Sequence, residues 1–374
     1  MSVPPLLRAA ACALVVALAA CAEEGPVRLG VAGAFSQPIG EPMRRGARLA
    51  AQEINARGGI GGRPLELVER DDHASPDSAV RIATELYASD VVAVVGHLFS
   101  GTTLAAAPIY NTGRAPLVAL SPSSSAPEVS GAGPWTFRVC PSDLAHGDAL
   151  ARWLADRLEL RTGAVFYLND DYGRGIRRAF AEQFAARGGR LAAVEPYLGE
   201  APDVAPQLDR LARGVRPQFL FVAGNRSEAE TILRSARERG IVAPLAGGDG
   251  LEGMEAAGAL AEGSYVSAAY HPALNNSANR AFVAAYATAY PDQPVPNQPA
   301  AAAYDAVHLL ARVMGEAGTE RDAIRRALAE VGRGRPAFDG VAGRVAFDSL
   351  GDVVERPVYI TVIKDGAALL AGSL

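Results

Sequence analysis

Short apolar runs alternate with segments of helical periodicity from residue 27 onward, and this alternation constrains the fold more than any other feature. Residues 27–34 read as a buried strand. Met43, Ala47, Ala50, Ala51 and Ile54 then recur at helical spacing, and Gly58-Gly59 closes the helix. Residues 65–68 form a second strand. Ser75-Pro76 is an N-cap followed by proline at the first helical position, opening a helix through Ile82 and Leu86. Residues 91–95 and 117–120 are further strands, separated by Gly96-His97 and a small-residue helix. Strands this short and apolar, each followed by a helix, predict a parallel sheet covered on both faces.

The pattern restarts after Ser142. A helix is expected over 143–160, a strand over 164–168 and a helix over 174–187. Strands at 191–194, 219–222 and near Leu245 alternate with helices at about 204–213 and 227–239. A strand over 265–267 precedes helices at about 279–290, 300–315 and 321–331, and strands over 341–347 and 358–363 close the chain. Two similar α/β halves with a C-terminal remainder suit a chain of 374 residues, long enough for about two domains.

The N-terminus reads as an address. Arg8 and the apolar stretch 9–17 match the n- and h-regions of an export signal, too short to span a bilayer. Leu18-Ala19-Ala20-Cys21 is similar to the bacterial lipobox, whose cysteine is diacylated and becomes the first residue. Residues 1–20 are therefore expected to be a lipoprotein signal peptide, Cys21 the lipidation site, and 21–26 an anchored tether. Cys12 would leave with the signal and Cys21 would carry lipid, so Cys140 alone remains and no internal disulfide is expected. Cys140 reads as a packed small hydrophobe at a strand end.

Composition excludes several functions. A formal net charge of -5 and a pI near 5.7 leave no electrostatic footprint for nucleic acid. Lys364 is the sole lysine, so neither Schiff-base chemistry nor a P-loop is expected. His73, His97, His146, His271 and His308 are scattered without metal-ligand spacing, and Asp71-Asp72 and Asp170-Asp171 lack the pattern of a calcium loop. There is no GxSxG or SxxK motif and no GxGxxG after the first strand, so neither a nucleophilic serine nor a dinucleotide site is expected. No enzyme, cofactor or metal follows from these residues.

In open parallel sheets, ligands sit at the carboxyl ends of strands. Those ends carry Ser36, Ser100-Gly101-Thr102, Ser121 to Ser125, Asn169 to Tyr172, Asn225 and Asp249, a set almost free of basic residues. Helix N-termini after Ser100 and Ser125 would aim backbone N–H groups at an anion. Asp249, in the other half, would suit a cation. An anion site facing a cation site suits a zwitterion.

With these residues in view, the chain resembles the branched-chain amino-acid-binding (Leu/Ile/Val-binding) family of periplasmic solute receptors. The resemblance covers essentially residues 27–370. It is carried by Gly33-Ala34-Phe35-Ser36, Ala50-Ala51-Gln52-Glu53-Ile54-Asn55-Ala56-Arg57-Gly58-Gly59-Ile60, and Val94-Val95-Gly96-His97-Leu98-Phe99-Ser100. Ser121 to Glu128, Phe137-Arg138, Asp171-Tyr172-Gly173-Arg174-Gly175 and Gly247-Gly248-Asp249-Gly250 continue the match. It implies a type I periplasmic-binding fold: two doubly wound, Rossmann-like α/β lobes joined by three crossings, near Ser142, Ala269 and Phe347. Lobe one would be 27–142 plus 270–345, and lobe two 143–269 plus 346–374. Ser100, Ser123, Ser124 and Ser125 would hold the ligand's carboxylate, Asp249 its ammonium, and Tyr172 would close over it. Two departures bear on the ligand. The first loop, 37–45, is short and lacks a tyrosine, and Asn225 stands at a family aromatic position. A polar amino acid, an amide or a urea-like solute therefore stays open.

The implied protein is a monomeric receptor, lipid-anchored on the periplasmic side of a bacterial membrane, that delivers a small zwitterion to an inner-membrane ABC permease. A ligand sensor on the same fold is the alternative. A disulfide known in some members would fall at Ala74 and Phe99, so this chain cannot form it.

Overall fold

The computed structural model describes residues 25–199 and 202–371. The expected signal segment and Cys21 lie outside these residues. Among the described residues the strands form two main sheets and one hairpin.

The first sheet contains β1 (Val27–Gly33), β2 (Leu65–Asp71), β3 (Ala93–Gly96), β4 (Val118–Ser121) and β5 (Thr136–Arg138). Their order is β2-β1-β3-β4-β5, and every pair is parallel. Helices α1 (Gly40–Ala56), α2 (Pro76–Ala88) and α3 (Ser100–Tyr110) connect the first four. Ser75 caps α2 by accepting the Ser78 N–H, as its Ser-Pro signal predicts. α1 begins at Gly40, so the expected loop over 37–45 contracts to the few residues before it. After Ser125 the chain makes only a 3₁₀ turn, Pro127–Gly131, where a helix N-terminus was expected.

The second sheet repeats the plan. β6 (Thr162–Leu168), β7 (Arg190–Tyr197), β8 (Phe219–Ala223), β9 (Leu245–Gly247) and β10 (Tyr265–Ala268) lie in the order β7-β6-β8-β9-β10, again parallel. Helices α4 (Asp143–Ala151), α5 (Asp171–Ala186), α6 (Ala205–Arg213) and α7 (Arg226–Glu238) precede or connect these strands. The chain then returns to the first sheet with α8 (Ser277–Ala289), α9 (Gln298–Ala317), α10 (Arg321–Ala329) and the hairpin β11 (Phe338–Gly340) to β12 (Gly343–Val345). It finishes with β13 (Tyr359–Lys364) and β14 (Ala367–Leu370), antiparallel additions beside β10. The result is an α/β fold of two doubly wound lobes joined by three crossings.

Side-chain alternation along the strands supplies both faces of each sheet. In the first, Val31, Val95 and Leu120 pack against Leu309, Leu310 and Val313 of α9. Their neighbours Ala32, Val94 and Ala119 pack against Ile82, Leu86 and Tyr110. In the second, Val165 and Phe221 meet Leu150, Leu154 and Phe180, while Phe166 and Val222 meet Leu208, Ile232 and Leu233. The helix expected over 143–160 is α4 followed by a π-helical turn, Arg152–Arg157. Trp153, Leu154 and Ala155 of this turn are buried, continuing the buried run Ala149, Leu150 and Ala151 at the end of α4. The strand expected over 341–347 is shortened by the tight hairpin turn before Gly343.

One buried cation ties β4 and β5 to the chain's last crossing. Arg138 on β5 is fully enclosed. Its Nε and Nη2 bond Asp352 at 2.7 and 2.8 Å, and Nη1 donates to the carbonyls of Ser124, Ser125 and Ala126 at 3.3, 3.0 and 2.9 Å. A planar guanidinium matches this fork of acceptors; an ammonium would not. Replacing Arg138→Met leaves Asp352 and three carbonyls short of donors. It should cost about 3–5 kcal/mol in urea unfolding; a loss below about 1 kcal/mol would mean that the loop holds itself.

Candidate functional site

Strand order reverses between β1 and β3 in the first lobe and between β6 and β8 in the second. Such reversals open crevices at the carboxyl ends of strands, because neighbouring connections leave to opposite faces. Here the two crevices face one another. A small cavity of about 40 Å³ lies between them. Ser100, Ser123 and Ser125 line it from the first lobe, and Tyr172, Asn225 and Asp249 from the second. Ile39, Leu98, Phe99 and Pro299 supply its apolar wall. No lysine or arginine is among its lining residues.

The serine loop divides its labour. Ser121 and Ser124 are fully buried and turn inward. Ser121 Oγ donates to the His97 carbonyl at 2.8 Å and accepts the Ser124 N–H at 3.0 Å. Ser124 Oγ pairs with Thr103 Oγ1 at 2.6 Å. Ser124, expected in the carboxylate site, is therefore not among the lining residues: its N–H and its hydroxyl are both engaged in holding the loop. Ser123 and Ser125 point the other way. Ser123 Oγ donates to Gln298 Oε1 at 3.1 Å, and Ser100 Oγ accepts the Ala126 N–H at 3.1 Å, leaving its own proton free for an acceptor.

On the facing wall Tyr172 and Asp249 act together. Asp170 caps α5 through the Gly173 N–H and so presents Tyr172 in the first turn. The Tyr172 hydroxyl donates to Asp249 Oδ1 at 3.1 Å and accepts the Gly250 N–H at 2.9 Å. This approach needs glycines: a Cβ on Gly248 would come within 2.6 Å of the Tyr172 hydroxyl and one on Gly250 within 2.9 Å. Burial, followed by the charges of Asp249 and Asp143, pushes the Tyr172 phenol well above its usual range, so it remains a donor. Asn225 precedes α7 and donates to Glu228 Oε1 at 3.2 Å. Cys140 is buried nearby, and burial pushes its thiol up to about 12, which makes it inert packing.

A receptor-like cleft on this fold agrees with known proteins. The family model for periplasmic binding proteins matches residues 26–368. The chain belongs to the periplasmic binding protein family. Leu/Ile/Val-binding proteins are among its curated relatives. A leucine-, isoleucine-, valine-, threonine- and alanine-binding protein of Pseudomonas aeruginosa is 28% identical over 338 residues, 87% of each chain. An amino acid binding protein of the same organism is 32% identical over a stretch spanning 60% of this chain and 61% of that relative. An ABC-transporter substrate-binding protein from Desulfitobacterium hafniense, solved in complex with Leu, has a TM-score of 0.80 at 32% identity, covering 92% of this chain and 99% of the other. Members of this family are solute-binding proteins and not enzymes.

Two further lining residues of this family member escaped the sequence reading. Glu252 lies on the second lobe, and its Oε1 accepts the backbone N–H of Gln298 on the first at 2.8 Å. Gln298 opens α9, capped by Asn297, so the carboxylate sits at the positive end of a long helix. A signal for Glu252 was present: it stands three residues after Asp249, and the intervening 3₁₀ turn puts such residues on one side. Gln298 had no such signal, because its partners Ser123, Pro122 and Glu252 are far away in sequence.

Burial pushes the Glu252 carboxyl up to about 8, against the opposing Gln298 N–H and with help from the charge of Asp249. The native state therefore holds this proton more tightly than the unfolded chain. The stabilisation is complete below the ordinary value of 4.5 and is lost as pH rises to about 8. Glu252→Gln keeps the acceptor and removes the titration. Between these pH values the melting temperature of wild type should fall relative to that of the variant; parallel profiles would show that the group does not titrate there.

Proposed function

We propose that this protein is an extracytoplasmic receptor that captures an amino acid, or a zwitterion of similar size, by closing two lobes around it for delivery to an ABC permease. The observation that carries this reading is the cavity between the two switch points, with serine hydroxyls on one wall and Asp249 with Tyr172 on the other. In this reading Ser100, Ser123 and Ser125 receive the carboxylate, and Asp249 receives the ammonium. A buried zwitterion is costly unless both charges are met. Closure then depends on a ligand that satisfies both lobes at once.

Lobe one is proposed as 27–142 plus 270–345 and lobe two as 143–269 plus 346–374. The separate cores, one drawing on 27–139 with 302–347 and another on 149–266 with 360 and 363, support this division except at its last boundary, where Phe347 and Val353 pack with lobe one. Asn225 and Glu252 put hydrogen-bonding groups at the cavity. They favour a ligand whose side chain hydrogen-bonds over a purely aliphatic one.

The decisive experiment is a thermal-shift panel on protein starting at Ala22, stripped of ligand by unfolding and refolding. The panel holds all amino acids, simple amides, urea and small carboxylates. A ligand at 100 times its Kd should stabilise the fold by about 2.7 kcal/mol. Shifts are expected with amino acids, and Asp249→Ala should weaken binding roughly tenfold to a hundredfold, the worth of one desolvated charged hydrogen bond. Shifts only with solutes lacking an ammonium would remove the role given to Asp249.

The exported, lipid-anchored state belongs to the same proposal. Among the described residues no helix is long and apolar enough to cross a membrane. Attachment would therefore rest on acyl chains at Cys21, since two or more chains anchor stably. Cys21→Ser should move the protein from the membrane pellet to the soluble fraction; retention in the pellet would argue for another anchor.

A further inference from the structure

Glu252 and Gln298 tie the two lobes directly to each other. Glu252 belongs to the second lobe, where its neighbours Leu251 and Met254 are buried in the core. Gly253, at φ 84°, turns the chain left-handed directly after it. Across the cleft, Glu252 Oε1 accepts the backbone N–H of Gln298, the first residue of α9, at 2.8 Å. Gln298 is buried and held on its own side: its Oε1 accepts the Ser123 hydroxyl at 3.1 Å, and its Nε2 donates to the Pro122 carbonyl at 3.2 Å. Hydrogen bonds thus run from the serine loop, through Gln298, to the opposite lobe. Arg178 and Glu128 also pair across the cleft, but both side chains are half exposed, and such a pair is worth little.

The surroundings of Glu252 decide when this tie holds. The titratable groups that face it are acidic or phenolic: Asp249 on the same turn, Glu255 on the next, and Tyr270 just beyond β10. Arg226 of α7 comes near, but its Nη1 donates to the Gly253 carbonyl at 3.3 Å and its Nε lies 3.5 Å from Glu230. The Gln298 N–H at the amino end of α9 offsets burial only in part, so the carboxyl is pushed up to about 8 while the lobes are together. Parting the lobes removes that N–H and admits water, which returns the group toward its ordinary 4.5. Closing therefore takes up a proton at any pH between these values. The contribution to closure is whole below 4.5 and is lost as pH rises to about 8.

We infer that the Glu252–Gln298 contact is a proton-dependent latch: the cleft closes with Glu252 neutral, so solute is held more tightly in mildly acid surroundings than in alkaline ones. This rests on the reading of the cleft as one that closes around a solute, and it adds the condition under which closing is favoured. The latch joins lobe to lobe, so it sets affinity through the fraction of molecules able to close, whatever side chain the ligand carries.

The test uses stripped wild-type and Glu252→Gln proteins, with the probe being whichever of the twenty L-amino acids binds wild type most tightly by calorimetry. Between about pH 5.5 and about pH 7.5 the wild-type Kd should rise roughly tenfold to a hundredfold. Titrations in buffers of different ionisation enthalpy should show wild type taking up close to one proton on binding near the middle of that range. In Glu252→Gln both the slope and the proton uptake should largely disappear. A wild-type Kd that does not change with pH overturns the inference while leaving the receptor reading intact. An equal slope in the variant also overturns it, because another group would then carry the proton. If the glutamine variant does not fold, Glu252→Met is judged by the same slope and proton count. Absence of binding by wild type across all twenty amino acids would instead remove the receptor reading itself, and this inference with it.

Discussion

The cleft depends on the buried guanidinium of Arg138. Three successive carbonyls, of Ser124, Ser125 and Ala126, converge on its Nη1. A loop whose carbonyls turn inward to one cation is held in a single shape, and its Ser123 and Ser125 side chains are left toward the cavity. The same guanidinium reaches Asp352, which the chain supplies only after passing through both lobes. Arg138 therefore joins the loop that lines the site to the segment near the third crossing. A buried charge of this kind is tolerable only because every donor has an acceptor.

Around that anchor the two lobes repeat one topology. In each, the first and third strands flank the point where connections change face, and the polar residues follow those strands. Bringing the two reversals face to face produces a cavity with hydroxyls on one side and carboxyls on the other. The imbalance is informative. Asp249 and Glu252 line the cavity, with no lysine or arginine in the lining. Glu252 finds relief at the amino end of α9. Asp249 finds it in the Tyr172 hydroxyl.

Much of this was legible before any coordinates. The strands near 27–33, 164–168 and 219–223 are apolar runs that no other element would bury, and Ser75-Pro76 marks its helix start without ambiguity. Ser100, Ser123, Ser125, Tyr172, Asn225 and Asp249 do converge on one cavity. Ser124 does not, because alternate residues of a tight loop face opposite ways, and neighbouring serines look alike in a sequence. Glu252 and Gln298 were missed because the hydrogen bond between them crosses the cleft between lobes. The π-helical turn after α4 was missed because a run of apolar residues there fits an ordinary helix equally well.

The sequence by itself determined the order of elements, the two-lobed plan and the polar character of the strand ends. These follow from periodicity and from residue types that act locally through caps, turns and apolar alternation. Only the tertiary structure decided which hydroxyls face the cavity and which brace the loop, and where Glu252 finds its donor. Those outcomes depend on which distant segments meet in space, and on whether a charge taken out of water finds an opposing group there. Neither is a property of the local chain.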